Sequence, residues 1–344
     1  VFKLNQYEQR ELLGARSRSP RWAIAGKFQA KQATTTIHDI EIQVGRTGAL
    51  TPVAKLKPVF LSGVTVSNAT LHNQDEIDRK DICIGDTVLI ERSGDVIPKI
   101  IKVIADKRPK NAILFKISKS CPVCNHQISK FKDEAVWRCV NSLCPKQVKG
   151  RIHHFTSKMA LNIDGLGEKI VEQLFEEKIL CSIDGVFSLD KKKLENLDRF
   201  GPKSAENLIL SINKSKNTSF SRFVYGLGIK NVGEHISKLL EKHFKNNFSK
   251  LIESSKEELE SIDGIGPIVA KKIKQFFADQ SNLETIQKCF NKGVSLKQLK
   301  QKNNDLLTNQ TFVFTGSLKN FSRTKAKDII SELGANVSNT LSKK

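Results

Sequence analysis

From residue 33 to about 105 the chain alternates polar and apolar residues in twos. Ile40, Ile42 and Val44 alternate with Asp39, Glu41 and Gln43, the period of a strand with one buried face. Residues 82–104 predict two strands around Ser93-Gly94-Asp95. Gly45, Gly48, Gly63, Gly85 and Gly94 punctuate the section, so several short strands closing into a small barrel or sandwich are expected. From 149 to 290 the period lengthens to that of helices. Ile170, Leu174 and Phe175 share one face, as do Ile236, Leu239 and Leu240. A basic stretch, 105–120, joins the β section to a cysteine-rich segment. Residues 291–305, with Lys292, Lys297, Lys300 and Lys302, read as a polar, basic linker. A last section from about 306 opens with a strand-like Thr311-Phe312-Val313-Phe314-Thr315-Gly316, then a helix near 323–333 and Gly334.

A short motif recurs in the helical section. It reads Ile163-Asp164-Gly165-Leu166-Gly167, then Leu227-Gly228-Ile229-Lys230-Asn231-Val232-Gly233, then Ile262-Asp263-Gly264-Ile265-Gly266; Phe200-Gly201-Pro202-Lys203 is a weaker copy. Each copy precedes a helix of mixed charge, which marks an internal repeat. A glycine-rich turn between two helices is the helix-hairpin-helix pattern. Its glycines allow close approach, and the N–H groups opening the second helix face outward, where a phosphate can dock. Gly165, Gly167, Gly228, Gly233, Gly264 and Gly266 are the candidate contacts. One such turn could be no more than a tight corner between helices. The copies together, on a strongly basic chain, point to phosphate binding without base reading.

Four of the seven cysteines fall in one stretch, as Cys121-x2-Cys124-x14-Cys139-x4-Cys144. Two close pairs joined by a short loop are the spacing of a tetrahedral zinc site with four thiolate ligands, a closed and therefore structural site. A disulfide framework would require an oxidising compartment, which nothing in the chain suggests. Trp137 and Val136 are expected to pack around the metal. Arg138, Lys146 and Lys149 lie beside it, as phosphate contacts or as solvated charges. Cys83, Cys181 and Cys289 read as small buried hydrophobes.

Charge narrows the partner. Lys and Arg number 57 against 36 Asp and Glu, a net charge of +21 on 344 residues. Such an excess suits nucleic acid or an anionic membrane surface. No apolar run approaches the ~18 residues of a membrane span. The first ten residues carry Lys3, Glu8 and Arg10, so no signal peptide is expected. The length alone suits two or three domains. The chain opens at Val1 and stops within its last section, so a piece of a longer protein is expected.

The order of parts resembles that of the bacterial NAD-dependent DNA ligases. The order is a β section with Gly45-Arg46-Thr47-Gly48, a four-cysteine knuckle, four hairpins and an opening Phe314-Thr315-Gly316 module. Val1-Phe2-Lys3-Leu4-Asn5 resembles the family's fourth nucleotidyltransferase motif, and Arg21-Trp22-Ala23-Ile24-Ala25-Gly26-Lys27-Phe28 its fifth. Residues 44–58 and 64–74 resemble its oligonucleotide-binding (OB) barrel. The resemblance implies a multidomain α+β chain. Residues 1–32 would end the adenylation domain. An OB-type barrel would span 33–117, a four-cysteine zinc knuckle 118–148, an all-α helix-hairpin-helix domain 149–296 and a partial α/β BRCT module 306–344. It also implies an activity, the sealing of 5′-phosphate/3′-hydroxyl nicks in duplex DNA. NAD donates AMP to a lysine in Lys-x-Asp-Gly, the AMP passes to the 5′-phosphate, and the 3′-hydroxyl displaces it. Mg2+ or Mn2+ would serve the phosphoryl steps and Zn2+ the knuckle. Lys3 and Lys27 would contact the adenylate, and Arg46 the nicked duplex. A monomer in the bacterial cytoplasm, associated with the nucleoid and away from membranes, would follow.

The chain departs from the family pattern at Gly26 and Gln29, and Lys-x-Asp-Gly occurs nowhere in it: Asn162 and Ser261 stand two before Asp164-Gly165 and Asp263-Gly264. The chain alone is therefore expected not to adenylate itself. One rival reading is a non-catalytic DNA-binding remnant of the same modules. Another is a repair nuclease or topoisomerase. The nuclease would need clustered carboxylates for metals, whereas the acidic residues are dispersed. The topoisomerase would need a nucleophilic tyrosine, and only Tyr7 and Tyr225 are present.

Overall fold

The structure is a computed structural model. It describes all residues except 16–18, 28–29, 94–96, 132–133, 199, 298–306, 308–309, 315, 317, 319–322, 334 and 339–344. Gln29, the tip of the expected 93–95 turn and Gly334 lie outside the described residues. At the start, β1 (Phe2–Lys3) pairs antiparallel with β2 (Ala23–Ile24), and helix α1 (Tyr7–Leu13) falls between them in the chain. Gly26 admits the ring of Phe2: a Cβ there would lie 2.8 Å from Phe2 Cε2.

The alternating section forms a closed barrel. Its strands are β3 (Gln32–Val44), β4 (Leu50–Leu61), β5 (Val64–Thr70), β7 (Thr87–Ser93) and β8 (Ile97–Val103), ordered β3-β4-β5-β8-β7 and closed by β7 on β3. Helix α2 (Gln74–Lys80) follows the third strand, capped by Asn73 and burying Ile77. A five-stranded closed barrel of this order is the OB fold. Ile37, Ile40, Leu56, Val66, Ala69, Val88, Ile90 and Ile100 fill it. The far end of β3 serves another core: Ile42 and Val44 pack with Leu50, Ile128, Trp137 and the cysteines. Short strands β6 (Cys83–Ile84) and β9 (Ile113–Leu114) pair beside the barrel. Arg108 ties the basic stretch down: its Nε donates to the buried Asp86 at 2.7 Å.

The knuckle is a two-strand ribbon, β10 (Ile128–Lys130) and β11 (Trp137–Cys139). It leads straight into α3 (Pro145–Thr156). The hairpin domain continues with α4 (Glu168–Glu176), α5 (Lys191–Glu195), α6 (Pro202–Ser215), β12 (Asn217–Thr218), α7 (Phe220–Gly226) and α8 (Glu234–Phe244). It ends with α9 (Phe248–Glu253), α10 (Lys256–Glu260), α11 (Pro267–Phe277), α12 (Gln280–Asn291) and β13 (Ser295–Leu296). One hydrophobic core runs from Val148 to Val294. At its middle the Phe223 ring lies 6.1 Å from Phe155, 5.6 Å from Phe248 and 5.2 Å from Phe290.

Two expectations are corrected here. Cys181 is exposed, because Leu180 beside it takes the buried position and leaves the cysteine on the connecting loop. The expected linker does not start at 291. Lys292 donates to Asp184 at 2.6 Å, Val294 is buried, and β13 pairs parallel with β12. Beyond it, β14 (Thr311–Val313), α13 (Arg323–Glu332) and β15 (Asn336–Ser338) form a parallel strand pair with a crossover helix.

Candidate nucleic-acid interface and metal centre

The four knuckle cysteines converge. Their Sγ atoms all lie within 4.8 Å of one another, and Cys121, Cys139 and Cys144 are buried. A tetrahedral zinc with Zn–S near ~2.3 Å separates its sulfurs by roughly 3.8 Å, so the donor set and its span fit zinc. Burial pushes the Cys139 and Cys144 thiols up, while backbone N–H groups of His126, Asn141, Lys146 and Gln147 hydrogen-bond the cysteine sulfurs and work the other way. The first pair is shaped by a tight turn: Asn125 N–H donates to Cys121 O at 2.9 Å, with Asn125 in the left-handed region. Trp137 packs into this small core as expected. Of the three neighbouring cations, none is an isolated charge. Arg138 pairs with Glu134 at 2.5 Å, Lys149 with Glu172 at 2.5 Å and Lys146 with Glu168 at 3.8 Å.

The hairpins are built alike. In three of them the first glycine, Gly165, Gly228 or Gly264, has φ of +88°, +71° or +91°, a region closed to most side chains. The apolar residues around it (Ile163, Leu166, Ile229, Val232, Ile262, Ile265) are buried. That anchoring turns the glycine's backbone toward a neighbour. Gly165 faces Leu208 of α6, and a Cβ on Gly264 would lie 2.9 Å from Leu239 of α8. Hairpins one and two therefore pack as a pair, as do three and four. The last glycine of each motif has another place. Gly167, Gly201, Gly233 and Gly266 are the N-caps of α4, α6, α8 and α11, without a side-chain cap. A Cβ on any of them would meet nothing within 4 Å.

That openness is a chemical feature. Elsewhere Asn73, Ser219, Asn247, Ser255 and Asp279 cap α2, α7, α9, α10 and α12 through their own side chains, whereas α1, α3 and α5 also lack such a cap but start from Gln6, Cys144 and Asp190 and not from a glycine. With glycine as N-cap, the hairpin helices offer no side-chain acceptor to their first N–H groups at the positive end of the dipole. Hairpins two and four have proline at the first position and no acid in the first turn. Hairpins one and three open with Glu168 and Glu234, whose charge opposes an anion.

Arg46 lies on the barrel loop Gly45–Gly48, and the structure brings it to hairpin three. A Cβ on Gly228 would lie 2.9 Å from Arg46 Nη1. Burial, and after it Arg46 itself, pulls His154 below the ordinary imidazole value, so the ring is neutral at pH 7. Its Nε2 lies 2.8 Å from Tyr225 O, an acceptor only, so Nε2 carries the proton. A cleft of about 180 Å3 beside the loop is lined by Arg46, Lys146, Lys149, His153, Glu168 and Glu172. Lys3 and Lys27 are both exposed, Lys3 in the first ribbon and Lys27 three residues beyond its second strand. The contacts that join barrel, knuckle and hairpin three had no local signal. Arg138 reaches Thr47, 91 residues away, and Lys230 reaches Glu134, 96 residues away.

Comparison with known proteins matches successive segments of the chain. Residues 34–112 match the NAD-dependent DNA ligase OB-fold domain and 120–145 the NAD-dependent DNA ligase C4 zinc finger domain. Residues 157–214 match a SAM-like helix-hairpin-helix tandem, 222–286 a helix-hairpin-helix motif, and 302–344 the BRCT domain. The chain is 46% identical over 346 residues to a DNA ligase of Saccharophagus degradans, covering 100% of this chain and 51% of that protein. It is 47% identical over 347 residues to one of Hahella chejuensis and 47% over 344 residues to one of Coxiella burnetii, again at 100% and 51%. The chain thus spans about half the length of the curated relatives it matches. No helix among the described residues is long and apolar enough to cross a membrane.

Proposed function

The chain belongs to the NAD-dependent DNA ligase family, and from that premise we propose that it is the DNA-holding part of a nick-sealing enzyme. In this reading it grips duplex DNA by its backbone while 5′-phosphate and 3′-hydroxyl ends are joined with NAD as the AMP donor. The observation that carries it is the set of four open, uncapped helix starts in the hairpin domain. Orphan N–H groups at a helix dipole's positive end bind phosphate and read no base. Gly167, Gly233 and Gly266 are then direct phosphate sites, and Gly165, Gly228 and Gly264 hold the turns that present them. Arg46 adds a guanidinium from the barrel. Lys3 and Lys27 contact the adenylate phosphate.

Cys121, Cys124, Cys139 and Cys144 hold a structural Zn2+, which closes the knuckle and takes no part in the chemistry. Among the described residues no other group of three or more histidines, cysteines or carboxylates converges. Mg2+ or Mn2+ would serve the phosphoryl steps by neutralising charge on the substrate phosphates. The working species is a monomer in the bacterial cytoplasm.

Titration of nicked duplexes of unrelated sequence over a range of salt tests the reading. Affinity should be the same for each sequence and fall steeply with salt, because released counterions drive binding. Strong sequence preference, or binding indifferent to salt, would overturn it. The 344-residue chain should take up no AMP from NAD. A longer product of the same reading frame that carries Lys-x-Asp-Gly should seal nicks, and failure of that protein to do so would remove the ligase assignment.

A further inference from the structure

The loop Gly45–Gly48 is held from two sides. Gly48 O accepts the Cys139 N–H at 2.9 Å, and a Cβ on Gly48 would collide with the Cys139 carbonyl oxygen. On the other side a Cβ on Gly150 of α3 would lie 2.7 Å from Arg46 Cβ. Arg138 sits where these pieces meet. Its Nη1 donates to Thr47 O at 3.1 Å and to Thr47 Oγ1 at 3.0 Å, and its Nε donates to Glu134 at 2.5 Å. Glu134 in turn accepts from Lys230, within hairpin three, and that contact first, with Arg138 behind it and against the opposing pull of burial, holds its carboxyl below the ordinary range. The Arg138 side chain is only 16% exposed, so its donors are committed inside the protein. Arg46 is the opposite case: among the described residues no carboxylate lies within ion-pair distance of it.

We infer that Arg138 is a positioning residue for DNA binding. It aims Arg46 at hairpin three, so that the barrel loop and that hairpin engage one stretch of phosphate backbone as a unit. The planar fork of arginine is what the task needs: one edge holds the loop, the other holds the carboxylate that reaches Lys230. This inference rests on the DNA-holding reading above.

The test is a double-mutant cycle on the whole chain with a nicked duplex. Arg46→Ala should weaken binding and lower the salt slope by about one, the mark of a lost phosphate contact. Arg138→Gln should weaken it by about ten-fold, the scale of a charge-assisted hydrogen bond. In the Arg46→Ala background Arg138→Gln should then change little, because the two act in series. Arg138→Lys, able to hold Thr47 or Glu134 but not both, should fall between. Additive losses, or an Arg138→Gln chain that binds like wild type, would overturn the inference. Zinc content and helical circular dichroism should stay unchanged in every variant. A second readout needs no DNA. Amide exchange at Cys139, whose N–H is donated to Gly48, should quicken in Arg138→Gln, and unaltered exchange would sink the positioning role by itself. If the wild-type chain fails to bind nicked duplex, the DNA-holding reading falls while the exchange result still decides whether Arg138 holds the loop.

Discussion

The knuckle and the hairpin domain sit side by side and are ordered by different forces. The knuckle's apolar cluster is small, and three of its six buried members are themselves cysteines. Its ribbon of three-residue strands could not fold on hydrophobic burial alone. The hairpin domain buries a continuous core, chiefly leucine, isoleucine, valine and phenylalanine, from Val148 to Val294. The difference teaches dependence. The joint between barrel and hairpins passes through a part of the molecule that owes its shape to a metal.

The largest expected effect separates the two outright. Cys139→Ser should release zinc, unfold the knuckle and weaken nicked-duplex binding, since metal affinity here is folding free energy. Far-ultraviolet circular dichroism should still report the hairpin helices. Unchanged zinc stoichiometry would refute the ligand set, and loss of all helix would refute the independence of the two regions.

The converse is a core deletion. Phe223 is fully buried against three other phenylalanine rings, and Phe223→Ala should remove about 3–5 kcal/mol from the hairpin domain. Chemical denaturation measures that loss, and zinc content should not move.

Next comes a pair of glycines two residues apart. Gly264→Val places a branched side chain at positive φ and against Leu239, so it should destabilise the hairpin by ~1–3 kcal/mol, weakening DNA binding through the fold. Gly266→Asp meets open space in extended backbone. It should leave the melting temperature unchanged or slightly raised, because aspartate caps helices well, yet weaken DNA binding by charge repulsion at the phosphate site. Equal affinity for wild type and Gly266→Asp would return that helix start to a purely structural role.

The smallest effect lies in the barrel, a third region with neither metal nor open helix starts. Glu76 has its carboxyl held at about 2 by hydrogen bonds from Arg79 and then Lys80. A depressed carboxyl stabilises the fold above its unfolded value and loses that contribution as pH falls toward the folded one. Glu76→Gln should therefore lower stability by under about 1 kcal/mol at pH 7. The difference from wild type should shrink between pH ~4.3 and the folded value. A pH-independent difference would assign the loss to packing instead of charge.

Local spacing made much of this legible. The cysteine pattern specifies a metal because thiolate bite depends on neighbours two to four residues away. Three of the four hairpins announce themselves because glycine occupies their first turn position, and Leu166, Ile229 and Ile265 each follow that glycine directly. The alternation of Ile40, Ile42 and Val44 predicted a strand, yet not that Ile40 would enter the barrel while Ile42 and Val44 served the knuckle. Cys181 was misjudged because composition around a residue says little when its neighbour Leu180 wins the buried position.

What the sequence determined by itself is therefore each module: barrel, four-cysteine zinc knuckle, helix-hairpin-helix turns, and a strongly positive net charge. These follow from short-range rules of period, ligand spacing and backbone freedom. Only the tertiary structure decided which glycine packs and which faces solvent, which hairpin helices start from an open glycine, and that Arg138 spends its fork on Thr47 and Glu134 while Arg46 reaches hairpin three. Such choices join residues 91 and 96 positions apart, where burial and geometry select one partner from many equivalent charges, and no local pattern carries that selection.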